Sequence, residues 1–175
     1  MIDMETLGNG KHAAVIQIGA CYFDRNTGEI GQTFDMNIDA ESAVRSGAEM
    51  DAATVYWWLS QSKEAIDSVI AQPRIDTTLA FEALNEFLKD AKTIWSHATF
   101  DFVILTETLK RLQIKPSFRY TVARDIRTLV DLAKITFSKT KREGLHHNGL
   151  DDCKHQVKYC VEAMNKIKGR QNVKS

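Results

Sequence analysis

Residues 1–38 read MIDMETLGNGKHAAVIQIGACYFDRNTGEIGQTFDMNI, and their pattern decides the fold. Residues 13–23 (AAVIQIGACYF) are rich in apolar and β-forming side chains and read as a strand. DRNTGE is a turn, with Gly28 available for a positive φ. Residues 30–38 (IGQTFDMNI) supply the partner strand, and this hairpin is expected beside an opening strand, MIDMETLG. Alternate residues of a strand point to one side, so Asp3 and Glu5 face together while Ile2 and Met4 face away. Like charges on one face repel. Either the pair ends a solvated strand or a cation lies between the two acids, since hard divalent ions favour carboxylate oxygens.

Working outward, the apolar period lengthens to that of helices. Residues 51–62 (DAATVYWWLSQS) begin with Asp51, a good N-cap. Residues 77–90 repeat apolar positions at Leu79, Ala83, Leu84, Phe87 and Leu88, an amphipathic helix. Residues 93–98 (TIWSHA) read as a short strand, followed by helical patterns over 100–114 and 124–135. The last helix, LDDCKHQVKYCVEAMNKI, sets Cys153, Val157, Cys160, Val161 and Met164 on one stripe. Strands first, then helices alternating with a strand, imply an α/β fold: a mixed sheet with helices on its faces. There is no internal repeat, and the only prolines, Pro73 and Pro116, fall at element boundaries. One domain over residues 1–175 is expected, its last residues from about 168 a fraying basic tail.

The apolar and charged fractions, 43% and 26%, are ordinary for a globular chain. No apolar run approaches the ~20 residues of a membrane helix, and no signal peptide is visible. The three cysteines lack CxxC spacing, which fits reduced thiols and a cytoplasmic setting. Zero net charge argues against tight, indiscriminate nucleic-acid binding by bulk charge. Yet residues 134–175 carry ten Lys/Arg against four Asp/Glu, leaving the remainder acidic. That asymmetry suits either a polyanionic ligand or a solvated helix face with its tail.

Two further stretches carry titratable groups. In WSHATFDF, Asp101 follows the strand 93–98 at a helix entrance, where open α/β sheets place ligands. It reads equally as a helix cap. HHNGLDDCKHQV pairs His146 with Asp151 and His147 with Asp152 at the same separation, at the start of the last helix. First-turn aspartates are stabilised by the helix dipole alone, so a functional reading needs an inward Asp and a loop His together.

In chain order, DMETLG, HATFD and HNGLDD resemble the three motifs of the proofreading-type DEDDh 3′–5′ exonucleases, DnaQ-like members of the ribonuclease H-like superfamily. The small phage and bacterial members with IDxETLG, a WSH-containing strand and an RTLxDLA segment are the nearest in pattern; RTLVDLA stands here at 127–133. Gly149 supplies the small third residue of the last motif after His147, whereas Asn148 holds that place after His146. The register therefore favours His147 and Asp152, with Asp151 a helix-start acid. Only Met1 and Ile2 precede Asp3, where the family's opening strand carries several apolar residues, so a more weakly anchored Asp3 is expected.

The resemblance implies a ribonuclease H-like mixed five-stranded sheet flanked by helices. It implies hydrolysis of DNA or RNA from a free 3′ end, with two divalent cations, Mg2+ or Mn2+. Asp3 would bridge both ions, Glu5 and Asp152 would bind the nucleophile-side ion, and Asp101 would support the other. His147 would be the general base, its ordinary pKa of ~6.5 suiting the role. Met4, Thr6 and Leu7 would meet the terminal nucleotide with Phe100 beside them, and Lys139, Lys141 and Arg142 would contact phosphates. Trp57 and Trp58 read as core and helix-junction cover, and His12, His97 and His155 as structural. The alternatives are an endonuclease of the same superfold and a non-catalytic nucleic-acid-binding module; a structural zinc site disagrees with so many carboxylates. No membrane partner is expected, and a homodimer is an option the sequence does not decide.

Overall fold

The computed structural model describes residues 1–136 and 141–172. The opening strand is β1 (Ile2–Thr6), and the hairpin is β2 (Val15–Phe23) with β3 (Ile30–Ile38). The turn forms as its residues dictate: the Asp24 carboxylate accepts the N–H groups of Asn26 and Thr27, both at 2.8 Å, and Gly28 takes a φ of 81°. β1 and β3 each run antiparallel to β2, and β4 (Arg74–Ile75) adds in parallel to β3. β5 (Ile94–Ser96) and β6 (Ala123–Asp125) make a separate parallel pair. The helices are α1 (Ala40–Arg45), α2 (Ala52–Leu59), α3 (Lys63–Ile70), α4 (Thr77–Phe87), α5 (Val103–Arg111), α6 (Ile126–Ala133) and α7 (Gly149–Asn172).

The α/β class, with a mixed sheet flanked by helices, is as expected and is consistent with a ribonuclease H-like fold. The five-stranded sheet that the resemblance implied is corrected: the described strands divide into a four-stranded sheet and a two-stranded one. One link between them is a side chain. Asp101 accepts the N–H of Met4 in β1 at 3.1 Å and that of His97, just after β5, at 3.0 Å. One carboxylate thus satisfies a strand donor that a neighbouring carbonyl would otherwise take. The helix expected over 100–114 opens as one π-helical turn, Ala98–Phe102, before α5. Part of the expected basic tail continues α7 to Asn172.

The strand period of two sorts β1 into two environments. Ile2 and Met4 pack with Ile18, Phe81, Leu84 and Leu105 in one core cluster. A second cluster joins Met1, Cys21 and Trp95 to Ile126 and Val130 of α6 and to Cys153, Val157 and Cys160 of α7. Each fully buried aliphatic or aromatic side chain contributes about 1.5–3 kcal/mol, so the apolar side of β1 holds the strand while its acids are left to function. Met1 joins this packing: its amine donates to the Cys21 carbonyl at 2.8 Å, and its carbonyl accepts the Cys21 N–H at 2.9 Å. The expected weakness of the first strand is therefore corrected; the residues before Asp3 are paired and buried.

Asn148 caps α7 by accepting the Asp151 N–H at 3.1 Å. The helix then crosses β2 backbone to backbone. A Cβ on Gly19 would lie 2.0 Å from the carbonyl carbon of Gly149, and one on Gly149 would lie 2.7 Å from the Gly19 nitrogen. The buried Gln17 side chain accepts the Gly149 N–H at 2.7 Å and donates to Asn37 at 2.7 Å. This close approach carries the first turn of α7 to the acidic face of β1. Among the described residues, no helix is long and apolar enough to cross a membrane.

Candidate active site

Asp3, Glu5, Asp101 and Asp152 are all buried, and they converge from β1, the π-helical turn and the first turn of α7. Asp3 and Asp101 form one three-donor group with His97; Glu5 and Asp152 form another with His147. Within each group the donor atoms lie within 4.8 Å of one another. Gln156, one helical turn after Asp152, donates to Asp3 at 2.6 Å. Arg142 pairs with Asp152. Asp151 turns to the loop instead, accepting the Leu145 N–H at 2.8 Å and facing Lys154.

The electrostatics follow from crowding acids in a dry place. Burial, then the charges of Asp101, Glu5 and Asp152, push Asp3 well above the ordinary carboxylate range. Burial and the neighbouring Asp152 and Asp101 raise Glu5 to about 8. Burial raises Asp101 to about 7, against the lowering effect of the Met4 and His97 N–H groups. Carboxylates so destabilised as anions are what a divalent cation relieves, and the oxygen-rich donor set with imidazole at its edge fits such an ion.

His147 stands on the last loop residue but one before α7, with a φ of 62°. Its backbone N–H donates to Asp152 at 3.1 Å. Its ring makes T-shaped contacts with Trp57 and Trp58, at centroid distances of 4.8 and 6.0 Å, and stacks on His146 at 3.8 Å. Trp58 is in turn tied by its indole N–H to the Thr6 carbonyl at 2.9 Å. Burial, then His146, lowers the His147 pKa, and burial with Arg127 lowers that of His97 to about 4. The reading of the tryptophans as core and cover omitted their contact with this histidine. Nothing in residues 51–62 tells which way α2 presents them.

Two cavities flank the acids. One of about 430 Å3 is lined by Met4, Thr6, Asn9, Thr54, Trp57 and Phe100, among others. The second, about 680 Å3, is lined by Asp3 and Asp152 together with His97, Arg127, Arg142 and His155, among others. Of the expected substrate residues, Met4, Thr6 and Phe100 line the first and Arg142 the second. Leu7 packs instead against the clusters around Trp58 and Ala43, Lys141 is exposed, and Lys139 lies outside the described residues. His97 and His155, read from the sequence as structural, both line this cavity. A signal existed: His97 and Asp101, like Asp152 and Gln156, are four residues apart, the spacing of helical neighbours.

The acids and histidines gathered at the join of the two sheets make a candidate metal site, and the class of the chain, the 3′–5′ exonucleases, follows from its likeness to known proteins. Comparison with known proteins gives the family. The model described as the 3′-5′ exoribonuclease Rv2179c-like domain matches residues 1–164, and the chain belongs to that family. It is also 24% identical over 213 residues, covering all of this chain and 92% of the relative, to an exodeoxyribonuclease of Enterobacteria phage T4.

Proposed function

We propose that this exonuclease removes nucleoside monophosphates from the free 3′ ends of RNA or DNA, using two divalent cations, Mg2+ or Mn2+, and His147 as general base. The observation that carries the reading is the convergence of four buried acids from separate elements into two donor groups. Asp3 and Asp101 would hold one cation and Glu5 and Asp152 the other, with Asp3 shared. Bound there, the pair supplies charge neutralisation for the phosphate and acidification of the attacking water.

The chain's own groups do the rest. The His147 ring takes a proton from the water as its oxygen attacks phosphorus, and the bond from phosphorus to the preceding 3′ oxygen breaks, that oxygen taking up a proton from solvent. The products are a 5′-monophosphate and a strand one residue shorter with a new 3′ hydroxyl. The depressed pKa of His147 keeps it neutral and able to accept that proton. Trp57 and Trp58 fix the ring's orientation from the side. The smaller cavity suits the terminal nucleoside, with Phe100 and Trp57 as apolar walls and Asn9 and Thr54 as polar groups. Arg142 and Lys141 supply positive charge to the strand. The family description names RNA and the phage relative's name specifies DNA, so the proposal covers both. Three free, buried thiols support a reducing, cytoplasmic setting.

The test uses 5′-labelled single- and double-stranded RNA and DNA, each with a free or a blocked 3′ end. Stepwise shortening from free ends alone is expected. Cleavage indifferent to the block contradicts the polarity, and cutting of circular strands favours the endonuclease alternative.

A further inference from the structure

We propose that His97 is the third protein ligand of the cation held by Asp3 and Asp101, and that its nitrogen makes this position select Mn2+ over Mg2+. The inference rests on the two-cation reading above and deepens it. The donor geometry comes first. A ring nitrogen of His97 and one oxygen each from Asp3 and Asp101 lie within 4.8 Å of one another. Nδ1 of His97 is 3.9 Å from Oδ2 of Asp101. That separation is too long for a hydrogen bond. It suits two donors on one ion, since ligand distances of roughly 2.0–2.2 Å place adjacent donors about 3 Å apart and opposite ones about 4 Å apart.

The local backbone pre-sets this arrangement. The His97 carbonyl accepts the N–H groups of Phe100 and Asp101 at 2.7 and 3.0 Å, and the His97 N–H donates back to the Asp101 carboxylate at 3.0 Å. Imidazole and carboxylate are therefore clamped to one π-helical turn, and the Met4 N–H fixes the second carboxylate oxygen from β1. An independent sign lies beside Asp3. Gln156 is 4% exposed, and its side-chain oxygen is buried without a hydrogen-bond partner among the described residues while its amide nitrogen holds Asp3. An unsatisfied buried oxygen next to a carboxylate marks a place that takes an ion or its water.

The other histidines do not compete for the position. His147 belongs to the Glu5 and Asp152 group, and among the described residues neither His146 nor His155 joins a three-donor group. The donor set has a chemical consequence. Mg2+ holds to oxygen ligands in near-ideal octahedral geometry, whereas Mn2+ accepts imidazole more readily and binds mixed nitrogen–oxygen sites.

Titration of the purified chain with Mn2+ and with Mg2+, together with pulsed electron paramagnetic resonance of the bound Mn2+, tests the assignment. Wild type, H147A and the double variants H97A/H147A and H97Q/H147A are compared. Two Mn2+ ions per chain are expected, with nitrogen coupling in wild type and H147A and none in either double variant. Mn2+ affinity of the weakened position should fall at least the ~10–100-fold that losing even an outer partner of a ligand costs, while Mg2+ affinity changes much less. Nitrogen coupling that survives in both double variants, or is absent from H147A with two ions bound, overturns the His97 assignment and leaves the two-cation reading standing. A wild-type chain that binds no divalent ion overturns both.

Discussion

His147 is held by a left-handed backbone, the Asp152 carboxylate on its N–H, T-shaped contacts with Trp57 and Trp58, and the stacked His146 ring. General-base loss costs on the order of 10²–10⁴ in rate. Single-turnover rates of H147A at saturating Mg2+ should fall by that factor with cation binding largely kept, and H146A should stay close to wild type. A crippled H146A with an active H147A would shift the third motif by one residue. Gln156 belongs to the same scale. Its amide orients Asp3 from one turn beyond Asp152, so Gln156→Leu should weaken Mn2+ binding by about 10–100-fold, read by calorimetry. The motif residues were legible because a strand period and a short loop-to-helix spacing encode them. His97, Gln156 and the tryptophans were not read, because their roles depend on which face a helix or turn offers to another element.

At the scale of elements, α7 meeting β2 is the joint that sets the site. Gly19 and Gly149 touch through backbone, which cannot yield as a flexible side chain can. Gly19→Ala should therefore cost at least the ~1–3 kcal/mol of an overpacked core and lower the melting temperature by several degrees. Gly10→Ala, where a Cβ meets nothing within 4 Å, serves as the control and should leave melting nearly unchanged. An unaltered melt for Gly19→Ala would show that the crossing relaxes easily. The small residue in HNGLDD was legible; its partner in β2 was not, since a glycine inside a strand does not name what approaches it. The hairpin, α4, β5 and α7 were legible from their periods. α1 and β4 are too short to impose a period of their own, β6 runs into the stretch read as the helix over 124–135, and Asp101 ties β5 to β1 through a side-chain bond that no strand pattern announces.

For the whole molecule, the buried acids link stability to pH and to cations. Without ions, folded Glu5 and Asp101 release their protons only near about 8 and about 7, against ordinary values of 4.5 and 3.8. Between those limits the folded state binds more protons than the unfolded one, so stability falls as pH rises from about 4 to about 8. Chelator-treated protein should accordingly melt lower at pH 8 than at pH 5.5; the opposite order would mean the acids are compensated from within the chain. Mn2+ at a hundredfold over its dissociation constant adds about 2.7 kcal/mol, or roughly 5–10 °C, at pH 8, and less at pH 5.5, where protons compete. The central claim is that these acids work as a cation-dependent hydrolytic site. Its most direct test is single-turnover shortening of a 5′-labelled strand by wild type in Mg2+, wild type in EDTA, and folded Asp152→Asn in Mg2+. Shortening in the first alone is the predicted result; undiminished turnover in EDTA, or by Asp152→Asn, would contradict the account.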